Sequence, residues 1–174
     1  MAFAVCSYPK LNARDYKLIQ DFRKENDELY YQVAEPHFGF VFPISQIQRE
    51  HFIREVHEKS NGIKKIEFEI RCATINKDAF IDYFHLLLVP DKGYSDIIKV
   101  HDKFYSDVFF EFLRLDIDFI PHMGIANSKD KYKVKNMVDK WNKNDFSIKG
   151  IIDSLTIIDY TENVLTNLEE IKLK

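Results

Sequence analysis

Cysteine is scarce in this chain, with two residues among 174. Cys6 and Cys72 do not form a CxxC pair, so the sequence contains neither a zinc-binding framework nor a dithiol redox motif. We expect both cysteines to be buried free thiols. Low-complexity segments and interdomain linkers are also lacking, and the sequence therefore predicts a single domain over residues 1–174.

Long apolar runs are lacking as well. No run approaches the ~18 residues that a membrane-spanning helix needs. The first ten residues have neither the basic nor the apolar region of a secretory signal. A net charge of −3 argues against non-specific binding of long duplex nucleic acid, but it leaves room for a small pocket that holds one or two phosphates. We therefore expect a soluble, cytoplasmic monomer that does not contact membranes.

The residues that are present predict an α+β protein. Hydrophobic residues make up 45% of the chain and charged residues 30%, which is enough for a sizeable core. The predicted order is strand, helix, strand, helix, strand, strand, and then helix, strand, helix, strand, strand. The second half of the chain thus nearly repeats the plan of the first.

Residues 65–74 show the clearest strand pattern, with charged residues alternating with apolar or small ones. Such alternation is typical of an antiparallel sheet with one packed face and one solvated face. The side chains predicted on the packed face are Ile66, Phe68, Ile70, Cys72 and Thr74.

Helix starts are predicted from residues that can cap a helix N-terminus. These are Asn12 with Asp15, Ser45 with Gln48, Ser95, and Ser128.

Two segments repeat one short motif. Residues 35–43 read EPHFGFVFP and residues 120–128 read IPHMGIANS, so each contains Pro-His-apolar-Gly-apolar. We predict that both segments are strands, the first from about residue 30. Since residues i and i+2 share one face of a strand, the histidine and the glycine of each motif should point the same way. Glycine there leaves room for a ligand or for another backbone.

His37 and His122 are 85 residues apart, about half the chain, and an internal duplication would bring them face to face. Two imidazoles without a carboxylate partner suit acid–base catalysis at phosphorus, because one ring accepts a proton while the other donates one. A metal site is the first alternative, but it needs three or four protein ligands and no third ligand accompanies either motif. The second alternative is a pair of unrelated core histidines. The other four histidines, His51, His57, His85 and His101, are interpreted as surface or structural residues.

The motifs HFGF at 37–40 and HMGI at 122–125 resemble those of the 2H phosphoesterase superfamily, which includes 2′-5′ RNA ligases and cyclic nucleotide phosphodiesterases. The resemblance implies a bilobal, pseudo-twofold fold, each lobe an antiparallel sheet with two helices around a central cleft. The first lobe would be built around residues 30–90 and the second around 95–160, with the termini contributing to both.

The same resemblance implies hydrolysis of a 2′,3′-cyclic or 1″,2″-cyclic phosphate, or reversible 2′-5′ joining of RNA ends, without metal or cofactor. His37 and His122 would be the catalytic residues, one activating water and the other protonating the leaving oxygen. The sequence leaves open which is the acid and which is the base. The expected ligand is a small nucleotide or the phosphate of an RNA terminus.

The chain departs from the family motif at Gly39 and Gly124, where the family has Thr or Ser. The missing hydroxyls normally donate hydrogen bonds to the phosphate. Other donors could replace them, the cleft could accept a bulkier substrate, or the protein could bind a nucleotide or RNA end with little or no turnover. Gly39 and Gly124 are thus candidate substrate-binding positions.

Side chains near the motifs supply further candidates. Phe38 and Tyr8 are candidates for stacking on a base, and Arg71 and Lys129 are candidates for neutralising phosphate. Besides an enzyme and a binding protein, the third hypothesis is a protein with a purely structural or interaction role.

Overall fold

The computed structural model describes residues 1–162 and 164–174. Its elements follow the predicted order, with a short second strand and a 3₁₀ helix added and with one predicted strand divided in two. The elements are β1 (Phe3–Ser7), β2 (Lys10–Leu11), α1 (Ala13–Asn26), β3 (Phe38–Ile44), α2 (Arg49–Ser60), β4 (Ile66–Lys77), β5 (Phe84–Lys92), α3 (Tyr94–Phe104), a 3₁₀ helix (Asp107–Phe112), β6 (Met123–Ser128), α4 (Lys131–Lys143), β7 (Ile148–Ile152), β8 (Ser154–Thr161) and β9 (Val164–Lys172).

The strands form two antiparallel sheets. The first sheet has the order β3-β1-β8-β9 and the second β2-β7-β4-β5-β6. Helices α1 and α4 pack on the second sheet, while Phe52 of α2 packs on Phe3 of the first. Helix α3 contacts strands of both sheets. The predicted α+β class with two antiparallel sheets is confirmed, and each histidine motif leads into an edge strand, β3 or β6.

The division of the lobes along the chain differs from the sequence prediction. Strand β4 and most of strand β5 lie within residues 30–90, yet both strands belong to the sheet that contains β6. Strand β8 comes late in the chain but pairs with β1 in the other sheet. Each sheet therefore combines strands from both halves, because strand pairing depends on long-range contacts that a division by sequence position does not capture.

The alternation of buried and exposed residues along strand β4 shifts by one residue near the middle of the strand. Ile66, Phe68 and Ile70 are buried as predicted, but Cys72 is exposed and Ala73 is buried instead. The pairing with β5 is irregular between Glu69 and Cys72. A bulge of this kind shifts the alternation of side chains by one residue, so the expectation that both thiols are buried is wrong for Cys72.

The predicted helix starts are only partly correct. The Asn12 side chain accepts a hydrogen bond of 2.8 Å from the Asp15 amide, as predicted. The other three helices begin after Gln48, Gly93 and Asp130 rather than after the predicted serines. Gly93 takes a left-handed conformation with φ of 83°, which favours glycine.

The core is continuous across the two sheets. Phe38 on β3 and Phe68 on β4 meet edge to face with ring centroids 5.0 Å apart, and both are buried. In the described part of the chain, no helix combines the length and the apolar character needed to span a membrane.

Candidate active site

His37 and His122 make the same local hydrogen bond. Nδ1 of His37 lies 2.8 Å from the carbonyl oxygen of Glu35, and Nδ1 of His122 lies 2.6 Å from the carbonyl oxygen of Ile120. A carbonyl oxygen only accepts hydrogen bonds, so Nδ1 carries the proton in both rings and Nε2 is the unprotonated nitrogen of the neutral form. Each histidine lies one residue before its strand, which corrects the prediction that the first strand begins near residue 30.

The protein environment disfavours the charged form of both imidazoles. Burial lowers the pKa of His37, and the hydrogen bond to Glu35 partly opposes this effect. Burial likewise lowers the pKa of His122, against its hydrogen bond to Ile120, and the charges of His37 and His85 lower it further. The fold therefore brings His37 within electrostatic range of His122, together with a third histidine that the sequence prediction had set aside.

The two motif glycines are exposed and have space beside them. A Cβ placed on Gly39 would have no neighbour within 4 Å, and one placed on Gly124 would meet only Cδ2 of Leu87 at 3.9 Å. Neither glycine has a positive φ. Neither steric crowding nor backbone conformation therefore requires glycine at these positions.

The two candidates for base stacking, Phe38 and Tyr8, lie in different environments. Phe38 is fully buried against Phe68, so the prediction that it contacts substrate is wrong, because the strand directs it into the core. Tyr8 lies beside the motif, with its ring centroid 6.1 Å from that of His37 in an edge-on arrangement. The hydroxyl of Tyr8 donates to Oδ1 of Asn167 at 3.2 Å.

The two candidate phosphate-binding cations already have partners. Nε of Arg71 donates to Asp91 at 2.7 Å, and the Lys129 ammonium lies 5.6 Å from the centroid of the Tyr83 ring. Arg71 and Lys129 are both exposed.

His85 is held by a carboxylate rather than by a carbonyl. Its Nε2 lies 2.8 Å from Oδ2 of Asp78, and its ring stacks on Tyr30 with centroids 6.3 Å apart. Burial alone would raise the pKa of Asp78, but amide hydrogen bonds from Phe80 and Ile81, together with His85, lower it overall. Asp78 is therefore ionised, and its Oδ2 accepts a hydrogen bond from Nε2–H of His85.

Arg23 and Asp27 form a buried ion pair that contacts the segment preceding the first motif. Arg23 of α1 is 2% exposed and donates from Nε and Nη2 to Oδ2 of Asp27 at 3.0 and 2.9 Å. The same Nη2 donates to the carbonyl oxygens of Tyr30 and Ala34 at 3.0 and 2.7 Å. The Arg23 guanidinium thus binds the backbone at both ends of residues 30–34, the segment that precedes the first motif.

Asn127 of β6 joins this ion pair to the second motif. Its Nδ2 donates to Oδ1 of Asp27 at 2.6 Å, and its Oδ1 accepts from the Leu29 amide at 3.1 Å. Asn127 lies on the strand that follows His122, so the Arg23–Asp27–Asn127 cluster connects the two histidine segments directly. Sequence reasoning missed the cluster; the four-residue spacing of Arg23 and Asp27 was visible, but the contact of Asp27 with a residue 100 positions away was not.

Glu35 is fixed by its side chain as well as by its carbonyl group. Its Oε2 accepts from the Tyr16 hydroxyl at 2.6 Å and from Nε2 of Gln20 at 2.7 Å. Helix α1 therefore supports Glu35, whose carbonyl oxygen sets the tautomer of His37.

A family model described as the 2′-5′ RNA ligase superfamily matches residues 9–164. The chain belongs to this superfamily. No curated protein matches the chain. Within the described residues, no group of three or more His, Cys, Asp or Glu side chains is arranged to hold a metal ion.

Solved structures share the fold at low sequence identity. LigT of E. coli, solved with 3′-AMP, has a TM-score of 0.59 at 11% identity, over 99% of this chain and 98% of LigT. TT0787 of Thermus thermophilus has a TM-score of 0.65 at 9% identity, over 99% and 98%. Usb1 of Kluyveromyces marxianus has a TM-score of 0.57 at 7% identity, over 96% and 97%.

We expect Arg23→Met to destabilise the protein by about 3–5 kcal/mol, because it leaves the buried Asp27 carboxylate without its cation. Urea unfolding measures the change. Arg14→Met, an exposed position on the same helix, is the control and should change stability by less than about 0.5 kcal/mol. Similar losses in both variants would contradict the structural role of the ion pair.

We expect stability to fall as the pH is lowered through 6.5, the ordinary histidine value from which the pKa values of His37 and His122 are depressed. Below that pH the unfolded chain binds protons that the native imidazoles resist, so the free energy of unfolding decreases. Urea unfolding at several pH values measures the slope. The double variant His37→Gln/His122→Gln should flatten it, whereas the control His57→Gln, at an exposed histidine of α2, should not. An unchanged slope in the double variant would refute the assignment.

Proposed function

We propose that the protein is a metal-independent phosphoesterase in which His37 and His122 act together on a cyclic phosphate. The substrate would be a 2′,3′-cyclic nucleotide, the cyclic phosphate of an RNA terminus, or a 2′-5′ phosphodiester. The observation that carries the proposal is the matched pair of Nδ1–carbonyl hydrogen bonds, at 2.8 Å for His37 and 2.6 Å for His122. They leave Nε2 of both rings available for proton transfer.

In the hydrolytic reaction, neutral Nε2 of one imidazole takes a proton from the water that attacks phosphorus. Nε2–H of the other imidazole, in its charged form, protonates the oxygen that leaves when the ring P–O bond breaks. The lowered pKa values favour a neutral base near pH 7. Since the charge of His37 disfavours a charge on His122, the pair resists double protonation, and the mechanism uses the state in which only one of the two rings is charged.

The choice of a nucleotide substrate rests on the superfamily and on its structures. LigT of E. coli has been solved with 3′-AMP, with NADP+, with ATP and with phosphate. These ligands are known for LigT, and we extend only the ligand class, a small phosphate-bearing nucleotide, to this protein.

The missing hydroxyls at Gly39 and Gly124 favour a second candidate, a nucleotide or RNA-end binding protein of the same fold with little or no turnover. Loss of one hydrogen bond to a charged group costs roughly 1.5–3 kcal/mol, so the loss of two would weaken phosphate binding or catalysis strongly. Calorimetry with 3′-AMP, combined with long incubation with 2′,3′-cyclic AMP, separates the candidates. Binding without product would favour the second.

We expect His37→Ala and His122→Ala each to lower the rate of cyclic phosphate opening by about 10²–10⁴-fold, because each removes one proton-transfer group. Turnover of 2′,3′-cyclic AMP measures the effect, and circular dichroism checks that each variant folds. His51→Ala, at a partly exposed histidine of α2 paired with Glu55, should retain full activity. Unchanged turnover in a folded His37 or His122 variant would eliminate the mechanism.

We expect Gly39→Thr and Gly124→Thr to fold normally, since both positions have room for a side chain. If a hydroxyl donor limits this enzyme, each variant should raise kcat/KM on a small cyclic phosphate by roughly tenfold or more. The matched controls are Gly39→Val and Gly124→Val, which have the same shape without the hydroxyl. Equal effects of Thr and Val would show that the hydroxyl itself has no part in phosphate binding here.

A further inference from the structure

A cavity of about 400 Å³ lies beside the first histidine motif, within the size range of ligand-binding pockets. We call it the tyrosine cavity because three of its lining residues are Tyr8, Tyr16 and Tyr31. The other residues that line it include Leu11, Gln32, Glu35, Pro36, Leu165 and Asn167.

The tyrosine cavity lies beside the segment that carries His37. Cys6 of β1 pairs with Gly39 of β3, and Tyr8 follows two residues later along the chain, which directs it to the same face as Gly39. The Tyr8 ring also lies edge-on to that of His37. Glu35 and Pro36 line the cavity and immediately precede His37, so a molecule with a phosphate near His37 could extend directly into it.

The walls of the tyrosine cavity are held in place before any ligand binds. The Tyr8 hydroxyl donates to Asn167 and the Tyr16 hydroxyl donates to Glu35. The Arg23 guanidinium carbon lies 5.8 Å from the centroid of the Tyr31 ring. Fixed aromatic rings offer stacking surfaces to a planar ligand, as they do in proteins that bind unpaired bases.

The charge of the tyrosine cavity selects which end of a nucleotide enters it. The Glu35 carboxylate repels phosphate, so the base is the part that fits. Oε2 of Glu35 already accepts two hydrogen bonds. Oε1 accepts no hydrogen bond from the residues that the structure describes. A carboxylate oxygen pairs well with an exocyclic amino group, as it does with N4 of cytosine. Adenine, cytosine and guanine have such a group; uracil presents carbonyl oxygens in its place.

We propose that the tyrosine cavity binds the base of a nucleotide whose phosphate lies between His37 and His122, and that Glu35 makes the site prefer amino-bearing bases over uracil. This inference rests on the proposed function for the position of the phosphate. It assigns Tyr8 and Glu35 to recognition of the base.

The test is the ratio of kcat/KM for 2′,3′-cyclic AMP to that for 2′,3′-cyclic UMP. We expect the wild-type ratio to be about tenfold. Glu35→Gln still accepts the hydrogen bonds from Tyr16 and Gln20, but it removes the charge, so the ratio should fall several-fold, mainly through KM. Glu50→Gln, at an exposed acidic residue of α2, is the control and should keep the wild-type ratio.

A ratio near one in the wild type, or a ratio that Glu35→Gln leaves unchanged, would overturn the inference. A fall in kcat for both substrates at a constant ratio would also overturn it, because that result assigns Glu35 only to the positioning of His37. Tyr8→Leu should raise KM for both substrates, and an unchanged KM would count against the cavity.

Failure of the proposed function gives a different result. If the wild type turns over neither substrate, calorimetry with 3′-AMP, 3′-UMP and inorganic phosphate still tests the tyrosine cavity. Tighter binding of 3′-AMP than of 3′-UMP, reduced by Glu35→Gln, would support base recognition in a protein without turnover. Equal affinities for all three probes would overturn it.

Discussion

The buried ion pair between Arg23 and Asp27 determines how the rest of the site is arranged. A guanidinium that is 2% exposed is costly to remove from water, and the cost is offset only where the charge is paired and its remaining protons are bonded. Here the carboxylate of Asp27, the carbonyl groups of Tyr30 and Ala34 and the side-chain amide of Gln20 meet that requirement. These bonds fix the backbone conformation of the segment before His37. Asn127 connects that segment to β6 through its hydrogen bond to Asp27.

The local backbone and the burial of the two rings together determine the tautomer and the protonation of His37 and His122. The carbonyl groups of Glu35 and Ile120 fix Nδ1–H in His37 and His122, and burial lowers both pKa values. The third nearby imidazole, that of His85, is bound by a carboxylate and stacked on Tyr30. His85 thus has a partner of a different kind, and the pair held by carbonyl groups is the one suited to exchange protons.

Gly39 and Gly124 each lie two residues after a motif histidine, where the sequence resemblance implies Thr or Ser. Both lie on exposed strand positions with open space beside them, so the fold itself would accept the larger side chain. Gly39 lies two residues after His37, and Glu35 and Pro36, which immediately precede His37, line the tyrosine cavity. The same feature therefore bears on two questions: how the phosphate is held and how large a substrate the site accepts.

The sequence by itself determined the order of the elements, the α+β class and the pair of Pro-His-apolar-Gly motifs, because hydrophobic periodicity and short motifs are local properties. Only the tertiary structure decided which strands share a sheet, that Cys72 is exposed beyond an irregular pairing in β4, and that Phe38 is in the core. It also decided that Asp27, paired with Arg23, meets Asn127. These outcomes depend on contacts between residues far apart in the chain, and no local pattern specifies such contacts.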